Sequence, residues 1–158
     1  MKCLNHQKRL ISVDFSYVDD FLDLYNECRV RWPVYFPPVK VEYLEIVLES
    51  TPTKCLYAVE RDNVILGYLF GFIHNYYSDA TLRVAHHETI MVSKARCKSN
   101  FTVYKVTEML VDALIAWAKE QKAHRIVWSS GTGDYRGLNH ILTLRNAKQI
   151  GIVLDMDL

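Results

Sequence analysis

The stretch His86-His87-Glu88 sets two imidazoles and a carboxylate side by side, and these are the groups most used to move protons in catalysis. Adjacent side chains on a strand point to opposite faces, so the two histidines do not converge on one metal ion. No third ligand stands at a useful spacing, and no metal is expected. The plainer account of the run is the polar end of a strand. A few residues on, Arg96-Cys97-Lys98-Ser99-Asn100 gathers two cations, a thiol and two small polar residues just ahead of a long apolar periodicity. Free N–H groups at a helix start, with cations beside them, suit an anion such as a phosphate. A solvated basic loop before a core helix explains the same letters. Cys97, between Arg96 and Lys98, has neighbours that favour a thiolate, although a bystander thiol is the simpler reading. A third candidate is Ile126 to Asp134, an apolar segment running into Ser-Ser-Gly-Thr-Gly-Asp, similar to the glycine-rich turns of nucleotide and methyl-donor sites. Only 24 residues follow Asp134, too few for the further β-α units of a doubly wound nucleotide fold. A strand-to-helix loop with Asp134 as helix cap accounts for it.

The elements that must position these groups follow from periodicity and punctuation. Half of the 158 residues are apolar, which suits one domain spanning 1–158 with a substantial core. Nineteen Lys plus Arg balance 18 Asp plus Glu, for a net charge of +1, so no long-range field favours nucleic acid or an anionic membrane as partner. The cysteines at 3, 28, 55 and 97 form no C-x-x-C pair and follow no leader-like segment; free thiols in a reducing, cytoplasmic setting are expected. The longest apolar run, Val64 to Ile73, holds two glycines and falls well short of the roughly 20 residues a membrane-spanning helix needs.

Along the chain, Arg9 to Val13 reads as a strand, and Ser16 with Asp19 as the capping pair of a first helix carrying Val18, Phe21, Leu22, Tyr25 and Cys28. That helix stops near Trp32 because Pro33 restricts its predecessor. Val41, Leu44, Val47 and Leu48 mark a second helix, so Trp32 to Pro38 is an aromatic, proline-stiffened loop suited to lining a binding site. Cys55–Glu60 and Val64–His74, joined by Arg61-Asp62-Asn63, predict an antiparallel hairpin. Arg83 to Val92 is the next strand; without a bulge, His86, Glu88, Ile90 and Val92 share one face and Ala85, His87, Thr89 and Met91 the other. Val106, Met109, Leu110, Ala113, Leu114, Trp117 and Ala118 form the apolar stripe of a long helix ending near Gln121. Arg125–Trp128 is a buried-type strand. Leu138, Ile141, Leu142 and Arg145 open a last helix stopped by Gly151, and Ile152–Leu158 is a final strand.

This order, β-α-α-β-β-β-α-β-α-β, resembles the GNAT superfamily of acyl-CoA-dependent N-acetyltransferases over nearly the whole chain. The resemblance implies an α/β (α+β) fold with a mixed, mostly antiparallel central sheet flanked by about four helices. Family members carry an acidic residue and a valine on the fourth strand, then Arg/Gln-x-x-Gly-x-Gly/Ala, then the long helix. The matching stretch here is Glu88, Val92 and then Arg96, Cys97, Lys98, Ser99, Asn100, Phe101, with Ser99 and Phe101 at the glycine positions. Later the family shows an asparagine, a helical tyrosine and a Gly-Phe pair; here stand Asn139, Ala147 and Gly151-Ile152. By this resemblance acetyl-CoA is the co-substrate, with its pyrophosphate at the loop from Arg96 to Phe101, and Asn139 is a further coenzyme-side residue. Glu88 is then the base, and the backbone near Met91 or Val92 donates to the oxyanion. Tyr104 and Tyr135 are the tyrosines available to replace the absent acid. Trp32, Tyr35 and Phe36 face the acceptor, a small-molecule amine or a protein amino group.

Two classes of function remain open. An acetyltransferase explains the architecture. A catalytically inactive GNAT-fold binding or structural protein, for example a phage-encoded component acting in the host cytoplasm or the virion, explains the departures at Ser99, Phe101 and Ala147. The terminal strand Ile152–Leu158 would leave sheet-edge groups for a homo-oligomer or protein assembly to pair.

Overall fold

A computed structural model of the chain describes residues 8–13, 15–29, 51–76, 78–128 and 136–147. The element order is β1 (Arg9–Ser12), a 3-10 turn (Phe15–Tyr17), α1 (Val18–Arg29), β2 (Lys54–Arg61), β3 (Val64–Tyr76), β4 (Asp79–Val92), α2 (Lys94–Cys97), α3 (Asn100–Glu120), β5 (Arg125–Trp128) and α4 (Arg136–Leu144). The strands form one sheet in the order β1-β2-β3-β4-β5. The first three pairings are antiparallel and β4 pairs with β5 in parallel. The expected helix over Val41–Leu48 and the expected strand Ile152–Leu158 lie outside the described residues.

Local chemistry explains most of these elements. Asp62 and Asn63, at φ 54° and 61°, make the two-residue turn of the β2–β3 hairpin, and short polar side chains are the non-glycine residues that best tolerate this left-handed region. Edge strand β1 is held to β2 partly by Arg9, whose Nε and Nη2 donate to the Glu60 carboxylate, each at 3.1 Å. In α1, Asp19 and Asp20 occupy the first turn, where carboxylates oppose the positive end of the helix dipole. Ser16 falls inside the preceding 3-10 turn and not at the helix cap expected of it. The last helix also differs from expectation. It ends at Leu144, before Gly151, because Asn146 takes φ 61° and the Ala147 N–H closes back on the Leu142 carbonyl at 3.0 Å, an asparagine version of the usual glycine stop. Arg145 therefore sits in the turn that follows the helix.

Two β-bulges decide which side chains face which layer. Val59 pairs with Gly67 and Glu60 with Ile65, leaving Leu66 as an extra residue in β3. Phe70 pairs with Thr89 and Gly71 with His87, leaving Glu88 as an extra residue in β4. The simple alternation expected for β4 is thereby broken at Glu88. Ala85 joins Ile90 and Val92 on the face packed by α3, while Met91 joins the opposite face under α1.

The sheet lies between α3 and α1. Val106, Leu110, Leu114, Trp117 and Ala118 of α3 pack on Val59, Leu66, Leu69, Ile73 and Ala85. Leu110 and Leu114 are fully buried, each worth about 1.5–3 kcal/mol relative to exposure. Phe21 and Leu24 of α1 pack on Leu56, Ala58, Ile65 and Tyr68, with the Phe21 and Tyr68 ring centroids 4.3 Å apart. Helix α4 rests on α3 through Leu138, Ile141 and Leu142 against Val111. Among the described residues no helix is long and apolar enough to cross a membrane.

Gly67 lets β3, β4 and α3 approach. A Cβ there would lie 2.8 Å from the Met91 carbonyl oxygen, 2.9 Å from Val92 Cγ2 and 3.1 Å from Val106 Cγ1. Gly67→Val is expected to destabilise the protein by about 1–3 kcal/mol through overpacking, read as a lowered urea midpoint at unchanged m-value. An unshifted midpoint would mean that this close approach is absent in solution.

Candidate active site

The candidate site begins where β4 loses its parallel neighbour. β5 pairs with β4 from Val84↔Arg125 to His87↔Trp128 and no further, while β4 continues to Val92. Among the described residues, the β4 edge from Glu88 to Val92 therefore has no strand on its β5 side. Among the described residues no strand takes up the backbone donors and acceptors on that side, and such an edge can pair with a ligand entering between the strands. Glu88 is exposed and sits at the bulge, the point where the two strands cease to pair. Met91 is buried on the α1 side, where its sulfur accepts from the Tyr68 hydroxyl at 3.0 Å. Val92 pairs with Gly67 and packs against the α3-side core. Met91 and Val92 thus hold the strand in place with their side chains while their backbone lies along this edge.

Beyond β4 the chain turns twice before α3. Ser93 caps α2, accepting from the Arg96 N–H at 3.0 Å, and Lys98, at φ 63°, ends that helix with its N–H on the Lys94 carbonyl. Ser99 then caps α3, its hydroxyl accepting from the Thr102 N–H at 3.0 Å. The N–H groups of Asn100 and Phe101, the first two positions of α3, belong to those that find no acceptor within a helix. They carry the positive end of a 21-residue dipole, which favours an anion. Lys98, Ser99, Asn100 and Phe101 are all exposed here. Phe101 is 69% exposed, so the bulk that replaces the expected small residue stands in solvent.

The other two residues of the predicted loop are engaged inward. Arg96 Nε donates to Glu27 Oε2 of α1 at 2.7 Å, and its Nη1 donates to the Ile65 carbonyl at 3.1 Å. The second Glu27 oxygen accepts from the Ser93 hydroxyl, and Arg61 Nη2 donates to the Arg96 carbonyl at 3.1 Å. Arg96 is thus a tie between the loop, α1 and β3, leaving Lys98 as the loop cation directed outward. The Cys97 side chain is buried in the α3-side core. Burial raises its thiol pKa, against the lowering pull of Arg61 and Lys8.

Of the remaining expected residues, Tyr104 is half-buried on α3, its ring 6.3 Å from that of His140 on α4 with Lys105 Nζ over it at 5.9 Å. Asn139 is exposed on α4, and its carbonyl accepts from the Thr143 hydroxyl. Trp32, Tyr35, Phe36 and Tyr135 lie outside the described residues. The structure adds Glu27, Ser93 and Arg61, which sequence reading did not single out. Glu27 lies 66 positions before Ser93, and no local pattern in α1 marks it.

Comparison with known proteins gives the same architecture. The sequence matches the acetyltransferase (GNAT) family over residues 18–135. An aminoglycoside acetyltransferase from an uncultured soil metagenomic sample superposes with a TM-score of 0.74 at 13% identity, covering 98% of this chain and 99% of that one. The ribosomal-protein-alanine N-acetyltransferase of Brucella melitensis gives 0.69 at 14% identity, over 96% and 100%. The acetyltransferase AAC(6')-Iy, in complex with the bisubstrate analogue CoA-S-monomethyl-acetylneamine, gives 0.72 at 14%, over 96% and 97%. No curated protein sequence matches this one at a significant level.

The Glu27–Arg96 pair, with side chains 35% and 20% exposed, is expected to couple by about 1 kcal/mol, above a typical surface pair because both groups share further partners. A double-mutant cycle with Glu27→Ala and Arg96→Ala, measured by urea unfolding, reads this directly. Strict additivity would show that the tie does not contribute.

Proposed function

The chain belongs to the acetyltransferase (GNAT) family, and on that premise we propose that it transfers the acetyl group of acetyl-CoA to an amine. The observation that carries the reading is the β4 edge that no described strand pairs from Glu88 to Val92, which leads within one short helix to the Ser99-capped start of α3. A long, narrow ligand with an anionic middle suits that path. Acetyl-CoA supplies an activated thioester, and the chain's own groups have three tasks.

The first is anchoring. The Asn100 and Phe101 N–H groups and the Lys98 ammonium hold pyrophosphate oxygens at the α3 start, with Arg96 keeping the loop in shape from behind. The second is charge stabilisation, for which a backbone N–H of the free β4 edge near Met91 or Val92 donates to the carbonyl oxygen as negative charge develops on it. The third is proton transfer. Glu88, at the bulge, removes a proton from the acceptor ammonium so that the nitrogen lone pair is available. Tyr104 is the described tyrosine available to protonate the leaving thiolate. Acceptor classes named for proteins of this fold, an aminoglycoside and a ribosomal-protein alanine, make a small-molecule amine and a protein amino group the two kinds to screen.

Calorimetric titration with acetyl-CoA tests the first task. Saturable binding is expected, weakened about tenfold by Lys98→Glu and more at low ionic strength; a folded sample giving no heat at millimolar coenzyme overturns the reading. Glu88→Gln is expected to retain coenzyme binding while losing roughly 10²–10⁴ in turnover, followed by thiol release in an amine screen. Equal turnover by the variant would remove Glu88 as the base.

A further inference from the structure

On the sheet face opposite α3, three rings from two adjacent strands lie together, and neither core packing nor the transfer machinery uses them. Phe72 and His74 leave the same face of β3, and His86 stands on β4 as the direct partner of Phe72. The Phe72 and His86 rings are nearly parallel at 9° with centroids 5.2 Å apart. The His74 and His86 rings lie 4.6 Å apart at 25°, and Phe72 and His74 lie 5.9 Å apart. None of the three belongs to the buried cluster that α1 makes with this face. Phe72 and His86 are half-buried and His74 is exposed, so the stacked group is partly accessible to solvent.

We propose that the Phe72–His74–His86 ring group is a recognition platform for the acceptor in its cationic, primary-ammonium form, holding it beside Glu88. The inference rests on the acetyl-transfer reading for its purpose, although the binding it describes is independent of the coenzyme. Three arguments carry it. The aromatic face of Phe72 and the faces and lone pairs of neutral imidazoles attract a cation, and the attraction strengthens as the cation sheds water over a half-buried floor. The platform brings no positive charge of its own while its imidazoles are neutral. Its β4 member lies two residues before the bulge where pairing with β5 ends, so an amine resting there is two strand positions from the residue proposed to take its proton.

Charge sets the pH behaviour. Among the described residues, the titratable group facing His86 from β3 is His74, its β5 partner is the apolar Val127, and the carboxylate further along β4 is Glu88. Burial, and then the neighbouring His74, hold the His86 pKa below its ordinary value of 6.5. Protonation of His86 would repel an ammonium, so acidification weakens platform binding. By linkage, a bound ammonium depresses the His86 titration further.

The test is a titration of the full chain with spermidine at constant ionic strength and without coenzyme, following the imidazole resonances of His74 and His86 by NMR. Saturable shifts at neutral pH, and a His86 titration moved to lower pH by spermidine, are expected. His86→Arg should abolish the shifts at His74, whereas Phe72→Tyr should keep them; folding of both variants is read from their amide spectra. Resonances unmoved by millimolar spermidine in the folded wild-type chain overturn the platform, as does a folded His86→Arg variant that binds as well as wild type. Acetyl-CoA titration of the same sample separates the two readings. Coenzyme binding without imidazole shifts sinks the platform alone, and imidazole shifts without coenzyme binding sink the transfer reading alone.

Discussion

β4 carries one residue more than its antiparallel partner needs, and everything near the site is arranged around that surplus. An inserted residue cannot join the ladder, so it bends the strand and resets the alternation beyond it. Before Glu88 the α3-facing position is Ala85; after it the α3-facing positions are Ile90 and Val92, and Met91 turns to α1. The same residue marks the place where β5 stops pairing with β4. A regular β4 would have kept Glu88 in phase with Ile90 and Val92. The bulge instead sets a carboxylate where the described β5 pairing ends, while the apolar residues on either side still reach their cores.

A free strand edge and a bare helix start are useful only if they keep their relative positions, and the loop between them is fixed from several sides. Ser93 hydrogen-bonds through its N–H to the Leu66 carbonyl at 2.9 Å, and its hydroxyl meets Glu27 and the Arg96 N–H. Arg96 reaches α1 and β3, and Arg61 reaches the Arg96 carbonyl from the end of β2. Loops are usually the mobile parts of a fold. Here charge-assisted bonds tie the loop to three separate elements, so the edge of β4 and the start of α3 move as one body. Midway along α3, Asp112 and Glu108 are gripped by Arg145, which fastens α4 alongside.

How far the sequence alone reached follows from what each signal depends on. The α3 stripe, the Asp62-Asn63 hairpin and the Arg125–Trp128 strand are local patterns, and each stands where periodicity or turn chemistry placed it, although that strand is half-buried to exposed and not of the buried type its apolar letters suggest. The Glu88 bulge was not legible, because a strand with alternating His, Glu, Thr and Met offers no glycine or proline to mark the extra residue; only the partner strand defines it. The end of α4 was misplaced for a related reason, since Gly151 is the stronger stop signal by composition whereas Asn146 takes the left-handed position. For the candidate site, the run from Lys98 to Phe101 stands, exposed, at the start of the long helix where the sequence places it. The inward role of Arg96 was not, because its partner Glu27 comes from α1 and an arginine in a basic loop looks like a ligand for phosphate.

The burial of Cys97 carries a chemical consequence of its own. Thioesters exchange readily with thiolates, so a cysteine beside an acyl donor invites the acyl group to leave for the wrong nucleophile. Cys97 is next to the loop proposed to hold that donor, yet its sulfur lies in the α3-side core with its pKa raised. Cys55, on the same side of the sheet, is held protonated still more firmly, its pKa pushed up to about 12. Both sulfurs are therefore protonated at neutral pH and turned away from solvent, which leaves self-acylation without a nucleophile at these two positions. On the acetyl-transfer proposal, packing that reads as ordinary core filling also acts as chemical insulation, guarding an activated ester against capture by these two cysteines.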